Sequence, residues 1–444
     1  MAATSTTNLT GLMAQAYNRE NYSIHYERTL AKFHDRCKSF TSGGPPVGTS
    51  IKWSVRTLDP HAVGTVGDGG DFAAYRQPQN IQPYVNGIGV TASLNITEQA
   101  ILQMTNQGVV GAPNVLADAI SACHRDYYGY LNKLSLGHGT GRLAVVESTT
   151  DTLTTFVGGV STATVGPGVQ QLRRNFNIDF YDTDTSGSKQ GNSQLITAIA
   201  QGTSRTVTID AARTLTAGWG VYMAGSYGVA PFGLMAHADD GTLTATWCNI
   251  TRATYPSINA YVGSPSGTGT QAYSEKLLAS ACEYVMNNVE AETTEIWMNA
   301  GIFREHINSL TGSRLFTIAP GQSVPGYKTG NEASDQVGFQ WNGKFIPFMV
   351  ERDMPPRTIV GGDFTGFRKY VLREPSWSGD GISASGQDTP YLLQQPASTA
   401  ANFYAFSKIA AMLGILNYGH QNPAALWRLS GVSDELLAGD QAVS

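Results

Sequence analysis

A long amphipathic helix that runs straight into a cluster of glycines, and from there into a strand, does most to limit what this chain can fold into. Leu116, Ile120, Cys123, Tyr127, Leu131 and Leu134 recur at spacings of three and four. That spacing lines one face of a helix of about six turns with apolar side chains. The helix is followed by LGHGTGRLAVV, residues 136–146, with three glycines in five positions. A glycine loop that cradles phosphate follows a strand and opens a helix, because the free N–H groups and the positive dipole end lie at a helix start. Here the order is reversed, with the segment from Arg142 to Glu147 reading as a strand. The glycines are therefore expected to close the helix, where glycine enters the left-handed region without a Cβ clash.

Beyond that point the chain reads mainly as β. RNFNIDFYD, LITAIAQG, SRTVTIDAA and WGVYMAG alternate or run apolar between turn residues. The glycines from Gly218 to Gly233 fit turns between strands, since no GK[ST] follows and no helix is expected to open after them. Charged residues make up only 14% of the chain, against roughly 25% in an ordinary soluble domain. Such sparseness suits a large β-rich body, and it suits a surface covered by copies of the same chain, because interface centres are poor in charge and rich in aromatics. A length of 444 residues allows roughly two or three domains.

Several function classes are disfavoured. A net charge of −5 lacks the basic stripe that dedicated nucleic-acid binding requires. Cys37, Cys123, Cys248 and Cys282 lie far apart with no CxxC pair, so neither a disulfide scaffold nor a zinc ribbon is signalled, and reduced thiols are expected. The N-terminus has no basic start followed by an apolar core, and no apolar run reaches the 18 residues of a membrane span, so neither a signal peptide nor a membrane partner is expected. None of the eight histidines sits in HExxH or another ligand spacing, and His124 reads as a packing residue on the long helix. Asp239-Asp240-Gly241, which could be taken for paired carboxylates, reads as a turn before TLTATW. No catalytic, cofactor-binding or metal-ligating residue is assigned.

The remaining segments set an order. YERTLAKFHDRCKSF is a short mixed-charge helix ended by SGGPP. IKWSVRTL and VTASLNIT bracket a middle rich in Gly, Pro, Asn and Gln that cannot bury much by itself; its aromatics favour pinning against another molecule. ITEQAILQMTNQG is expected to be a short helix. In the last third, AYSEKLLASACEYVMNNV and GIFREHINSL are expected helices around the strand TEIWMN. VGFQWNGKFIPFMVERDMP is a hairpin, with Asn342-Gly343 as the turn pair that accepts positive φ. NFYAFSKIAAMLGILNYG is expected to form a C-terminal helix, with Met412 in the core.

This order resembles that of tailed-bacteriophage major capsid proteins, whose fold is shared by encapsulin shells and the floor domain of herpesvirus capsids. The phrases most alike are LSLGHGTGRLAVV, GKFIPFMVERDMPPRTIVGGDF and NFYAFSKIAAMLGILNYGHQNPAALWRL. The resemblance implies an α+β fold with residues 1–50 as N-terminal arm, 51–97 as extended two-stranded loop, and 98–260 as peripheral domain with a spine helix at about 113–136. Residues 261–400 would be the axial domain and 401–444 a C-terminal helix and tail returning to the core. It implies a non-enzymatic protein that assembles with itself into pentamers and hexamers of an icosahedral virion shell around double-stranded DNA, built in the bacterial cytoplasm. DNA would be contacted weakly and without sequence preference. About fifty residues before the loop favour a separate scaffolding protein over a fused one, with a portal and an optional decoration protein as further partners. Some relatives weld subunits through a lysine in the extended loop, but no lysine lies between Trp53 and Asn132, which implies a non-covalent shell. Trp53, Arg56, Phe72, Tyr75, Arg76 and Tyr84 are the expected intersubunit contacts. An encapsulin-like compartment, another virion protein such as a tail component, and a β-rich hydrolase are the competing classes.

Overall fold

The computed structural model describes residues 32–40, 50–58, 64–66, 71, 77–97, 115–147, 150–159, 171–182, 187–200, 206–264, 271–311, 338–378, 393–396 and 404–434. The chain divides into two compact units: residues 1–46, 87–132 and 370–416 form one, and 47–86, 133–369 and 417–444 the other.

The spine helix runs Val115–Leu136. Cys123, Tyr127, Leu131 and Leu134 are buried, as the spacing predicts. The chain leaves it through Gly139 at φ 89° and Gly141 at φ 82° into the fully buried strand Arg142–Val146. A Cβ on Gly141 would lie 2.7 Å from the Ser226 carbonyl oxygen, and one on Gly233 2.5 Å from that of Leu134. The two glycine-rich stretches therefore meet backbone to backbone, joined by the Gly228 N–H donating to the Thr140 carbonyl at 3.0 Å. One expectation fails here: after Gly233 a four-residue helix, Leu234–His237, does open, wholly buried.

The segment expected to be a C-terminal helix is a strand of 17 residues, Tyr404–His420. It pairs antiparallel with Ile88–Thr97, from Ser407 opposite Thr97 to Leu416 opposite Ile88, and with Leu393–Pro396. Burial alternates with period two: Met412, Gly414 and Leu416 are buried while Ala411, Leu413 and Ile415 are half-buried. A strand flanked on both sides and apolar on both faces reads as one continuous apolar run, which periodicity alone does not separate from a helix. The glycine allows a close approach, since a Cβ at Gly414 would lie 2.2 Å from the Tyr127 hydroxyl. Met412 is buried as expected, on a strand. The short N-terminal helix is Lys32–Arg36, and the helix expected over ITEQAILQMTNQG lies outside the described residues beyond Thr97.

The second unit contains a closed six-stranded barrel in the order Gln194–Ile199, Thr206–Leu215, Thr150–Gly159, Arg142–Val146, Gly220–Met223 and Asn177–Tyr181. Ile178, Phe180, Ile196, Val207, Ile209 and Val221 are buried on its strands. A separate six-stranded sheet runs Tyr261–Gly263, Leu426–Ser430, Thr358–Gly362, Glu295–Met298, Lys344–Val350 and Gly338–Trp341. The helix Glu275–Val289 buries Leu278, Ala281, Cys282 and Val285 in the core of that sheet, and Ala300–Thr311 contributes Ile302. Its hairpin turns at Asn342 (φ 48°) and Gly343 (φ 74°), as that residue pair predicts.

Candidate functional site: the root of the two-stranded loop

Two short antiparallel pairs build the base of the expected loop: Ser50–Lys52 with Tyr84–Asn86, and Val55–Leu58 with Gln79–Ile81. Among the described residues, the paired strands of this base fall within 50–58 and 79–86. VTASLNIT belongs instead to the strand Ile88–Thr97 of the other unit's sheet, which corrects the loop's second boundary.

A two-residue hairpin grips this base. Thr246–Trp247 pairs with Ile250–Thr251, so Cys248 and Asn249 form the turn, both left-handed at φ 45° and 64°. A left-handed cysteine is unusual, because its Cβ crowds the backbone there. The conformation serves the loop: the Tyr84 N–H donates to the Cys248 carbonyl at 3.1 Å, and Asn249 Nδ2 donates to the Tyr84 carbonyl at 3.1 Å. Trp53 packs edge-on against Trp247, with ring centroids 6.0 Å apart, and its N–H donates to the Pro83 carbonyl at 3.2 Å.

Beneath Trp247 lies a buried polar keystone. Trp247 Nε1 donates to His237 Nδ1 at 2.7 Å, which requires that nitrogen to be unprotonated. Burial first, and then His420 and the Arg252 charge, hold His237 well below its ordinary value, so it is neutral at pH 7. Arg252 lies under the Trp247 ring at 5.9 Å and donates to the Ala236 carbonyl at 2.7 Å. Burial pushes the Arg252 guanidinium down to about 10, with Asp239 opposing the shift; it stays charged. Asp239, fully buried, accepts from Arg428 Nη2 at 2.8 Å. It also accepts from the N–H groups of Gly241 at 3.0 Å, Leu243 at 3.1 Å and Thr244 at 2.8 Å, and from Thr242 Oγ1 at 3.1 Å. Arg428 belongs to Leu426–Ser430 in the interior of the six-stranded sheet. One carboxylate thus ties that sheet to the turn, and Arg252 ties the turn to the loop root.

Of the expected contact residues, Trp53 is buried within its own chain at 9% exposure, so it holds the loop down and leaves little surface for a neighbour. Arg56 is exposed, and Tyr84 is half-buried beneath Lys52 Nζ, 5.8 Å from the ring centre. Phe72, Tyr75 and Arg76 lie outside the described residues. Sequence reasoning missed His237, Arg252 and Arg428. For Asp239 it found the turn but not the ion pair. The available signal was a set of charged residues in a chain with few of them, but their partners stand up to 189 positions apart.

Cys248, the thiol nearest the root, is pushed far up by burial, which suppresses the reactive thiolate. All four cysteines are buried and free. Among the described residues no three metal-ligating side chains cluster, and no helix is long and apolar enough to cross a membrane.

No protein-family model and no curated protein matches this sequence. Solved structures do. The cyanophage A-1(L) capsid asymmetric unit is 10% identical, with 92% of this chain and 95% of that chain covered at a TM-score of 0.51. Mycobacterium phage Bobi is 9% identical, covering 97% and 99% at a TM-score of 0.44. The holo-SrpI encapsulin complex from Synechococcus elongatus is 7% identical, covering 95% of each chain at 0.40. Backbone agreement with the cyanophage capsid chain over almost the whole of both chains gives this protein the α+β fold of tailed-phage major capsid proteins.

Proposed function

We propose that this chain is a major capsid protein, a tile that assembles with its own copies into the pentamers and hexamers of an icosahedral head shell around packaged double-stranded DNA. The capsid fold over 92% of the chain carries this reading. The loop root supports it: a two-stranded excursion has too little area to stabilise itself, yet here its base is clamped by two tryptophans and a strained turn. Anchoring one end rigidly suits a loop whose far end lies on a neighbour. The protein has no catalytic role in this reading. Subunits are held non-covalently, with Arg56 and Tyr84 among the loop contacts and Phe72, Tyr75 and Arg76 further along it. Head-to-tail contacts close into rings when the rotation fits, and each subunit's several modest interfaces multiply by avidity. A separate scaffolding protein, a portal, an optional decoration protein and weakly held DNA complete the partners, and assembly takes place in the bacterial cytoplasm.

Electron microscopy of the purified chain, alone and with a scaffolding protein, tests the reading; rings or closed shells are expected. Deleting residues 60–77, which spares both strand pairs of the root, should leave a folded subunit that forms no stable shell. A chain that stays a small oligomer under every assembly condition refutes the tile. Shells that form unaided and take up a cargo peptide move it to a compartment protein.

A further inference from the structure

The C-terminal end of the helix Glu275–Val289 carries the opposite charge from the one a helix end favours. Its unsatisfied carbonyls amount to roughly half a negative charge and are normally met by Lys, Arg or His. This helix has no basic residue in its last turn. Glu290 follows in the left-handed conformation at φ 55°, and then Glu292. Lys344, on the adjoining hairpin, pairs with Glu292, but the two side chains are 62% and 65% exposed, so the pair is weak. An excess of negative charge remains.

Beside it opens a shallow cleft whose lining includes Cys282, Met286, Trp341 and Ile346, together with Glu292 and Lys344. Met286 is 37% exposed and Tyr284 43%, and Tyr284 is stacked on Tyr261 at 4.5 Å. Apolar surface next to a helix end that carries Glu290 and Glu292 against the single cation Lys344 calls for a partner that brings a cation on an apolar stem.

The same sheet supplies one at its other end. Glu295–Met298 and Lys344–Val350 run parallel, Ile296 opposite Phe348, so both start beside the cleft and finish about 20 Å away by strand rise. There the chain turns through residues 351–357. Glu351, Asp353, Met354, Pro355 and Pro356 are buried, and Arg352 is exposed. The turn is pinned: the Glu351 N–H donates to the Met298 carbonyl at 3.0 Å, and Gln171 Nε2 to the Asp353 carbonyl at 2.8 Å. The pinned backbone fixes where the cation's stem begins, so docking has to order the side chain alone.

Unlike surfaces at opposite ends of one sheet make a head-to-tail contact, the kind that closes rings. We propose that Arg352 of one copy docks on Glu290 and Glu292 of the next, its stem against Met286 and Trp341. The contact rests on the reading of the chain as a tile. The guanidinium can engage a carboxylate with two parallel hydrogen bonds, which the resident ammonium cannot.

Charge exchange tests it under conditions where the wild-type chain assembles. Arg352→Glu or Glu292→Arg alone is expected to raise the subunit concentration needed for rings or shells at least about tenfold, and the two together to restore assembly. Arg352→Gln, which removes the charge without reversing it, should lower assembly in the same direction. Both positions are exposed, so the unassembled variants should keep the wild-type urea midpoint, which separates an assembly defect from misfolding. Arg352→Glu or Arg352→Gln subunits that assemble at the wild-type concentration, or a folded double variant that does not recover, overturn the contact and leave the tile intact. A wild-type chain that never assembles refutes the tile reading itself.

Discussion

Removing either partner of the Asp239–Arg428 pair breaks the same buried contact, yet the two losses are predicted to be very unequal. Asp239 accepts hydrogen bonds from three backbone N–H groups and the Thr242 hydroxyl in addition to Arg428. Without Arg428 the carboxylate keeps all four, and Arg252 still favours its charge. Arg428 is less well served. Its Nη2 reaches Asp239 and Thr242, but its buried Nε and Nη1 meet no acceptor among the described residues. Arg428→Met therefore removes a buried cation together with two unanswered donors, and should cost no more than about 1.5 kcal/mol, the scale of one net hydrogen bond. Asp239→Asn leaves Arg428 and Arg252, each 1% exposed, facing each other with only the half-buried Asp240 as a remaining shared counter-charge. It also turns an amide donor toward groups that need an acceptor. Stranding a buried charge costs about 3–5 kcal/mol, and that is the expected loss. Urea unfolding of unassembled subunits, followed by tryptophan fluorescence, measures both, with Trp247 and Trp427 close to the pair. An Arg428→Met loss equal to or larger than that of Asp239→Asn, or an Asp239→Asn loss below about 1 kcal/mol, would refute the reasoning.

Acid should weaken the subunit through its buried histidines. Burial lowers His306 and His420 to about 4, so the unfolded chain takes up protons near 6.5 before the folded one does. The contribution of these two histidines is therefore unchanged above about pH 7, falls through the window from 6.5 to 4 and levels off below it, each costing about 2 kcal/mol at pH 5. Equal melting temperatures at pH 7 and pH 5 would contradict this. Gly414→Ala drives a methyl into the Tyr127 hydroxyl and should cost about 1–3 kcal/mol by overpacking; thermal unfolding no different from wild type would show that the helix and strand are not in tight contact. Trp53→Ala should cost about 3–5 kcal/mol and speed amide exchange at Tyr84 ahead of the barrel strands, whereas exchange that rises uniformly would deny Trp53 its local clamping role. Cys248→Val puts a β-branched residue at a left-handed position and should cost about 1–2 kcal/mol, while Cys248→Gly should not; equal stabilities would mean that the turn relaxes.

What the sequence disclosed depended on how far apart in the chain the deciding atoms lie. The spine helix, its glycine exit, the Asn342-Gly343 hairpin and the helices around Glu295–Met298 are each specified by residues within a turn or two of one another. Patterning and turn chemistry found them all. Tyr404–His420 shows the limit, because its identity as a strand is decided by pairing with Ile88–Thr97, more than 300 positions earlier in the numbering. A run of Ala, Met, Leu and Ile also satisfies helix propensity. The keystone was hidden for a related reason: Asp239-Asp240-Gly241 has every mark of a turn and is one, and nothing nearby in sequence shows that Arg428 completes it. The Arg352 surface differs from both. A helix that ends in Glu290 and Glu292 with no basic residue breaks a local electrostatic rule that can be read directly from the sequence, and such a break calls for compensation from outside the element. Inside the chain Lys344 provides part of it, and in the proposed contact Arg352 of a neighbouring copy supplies the rest.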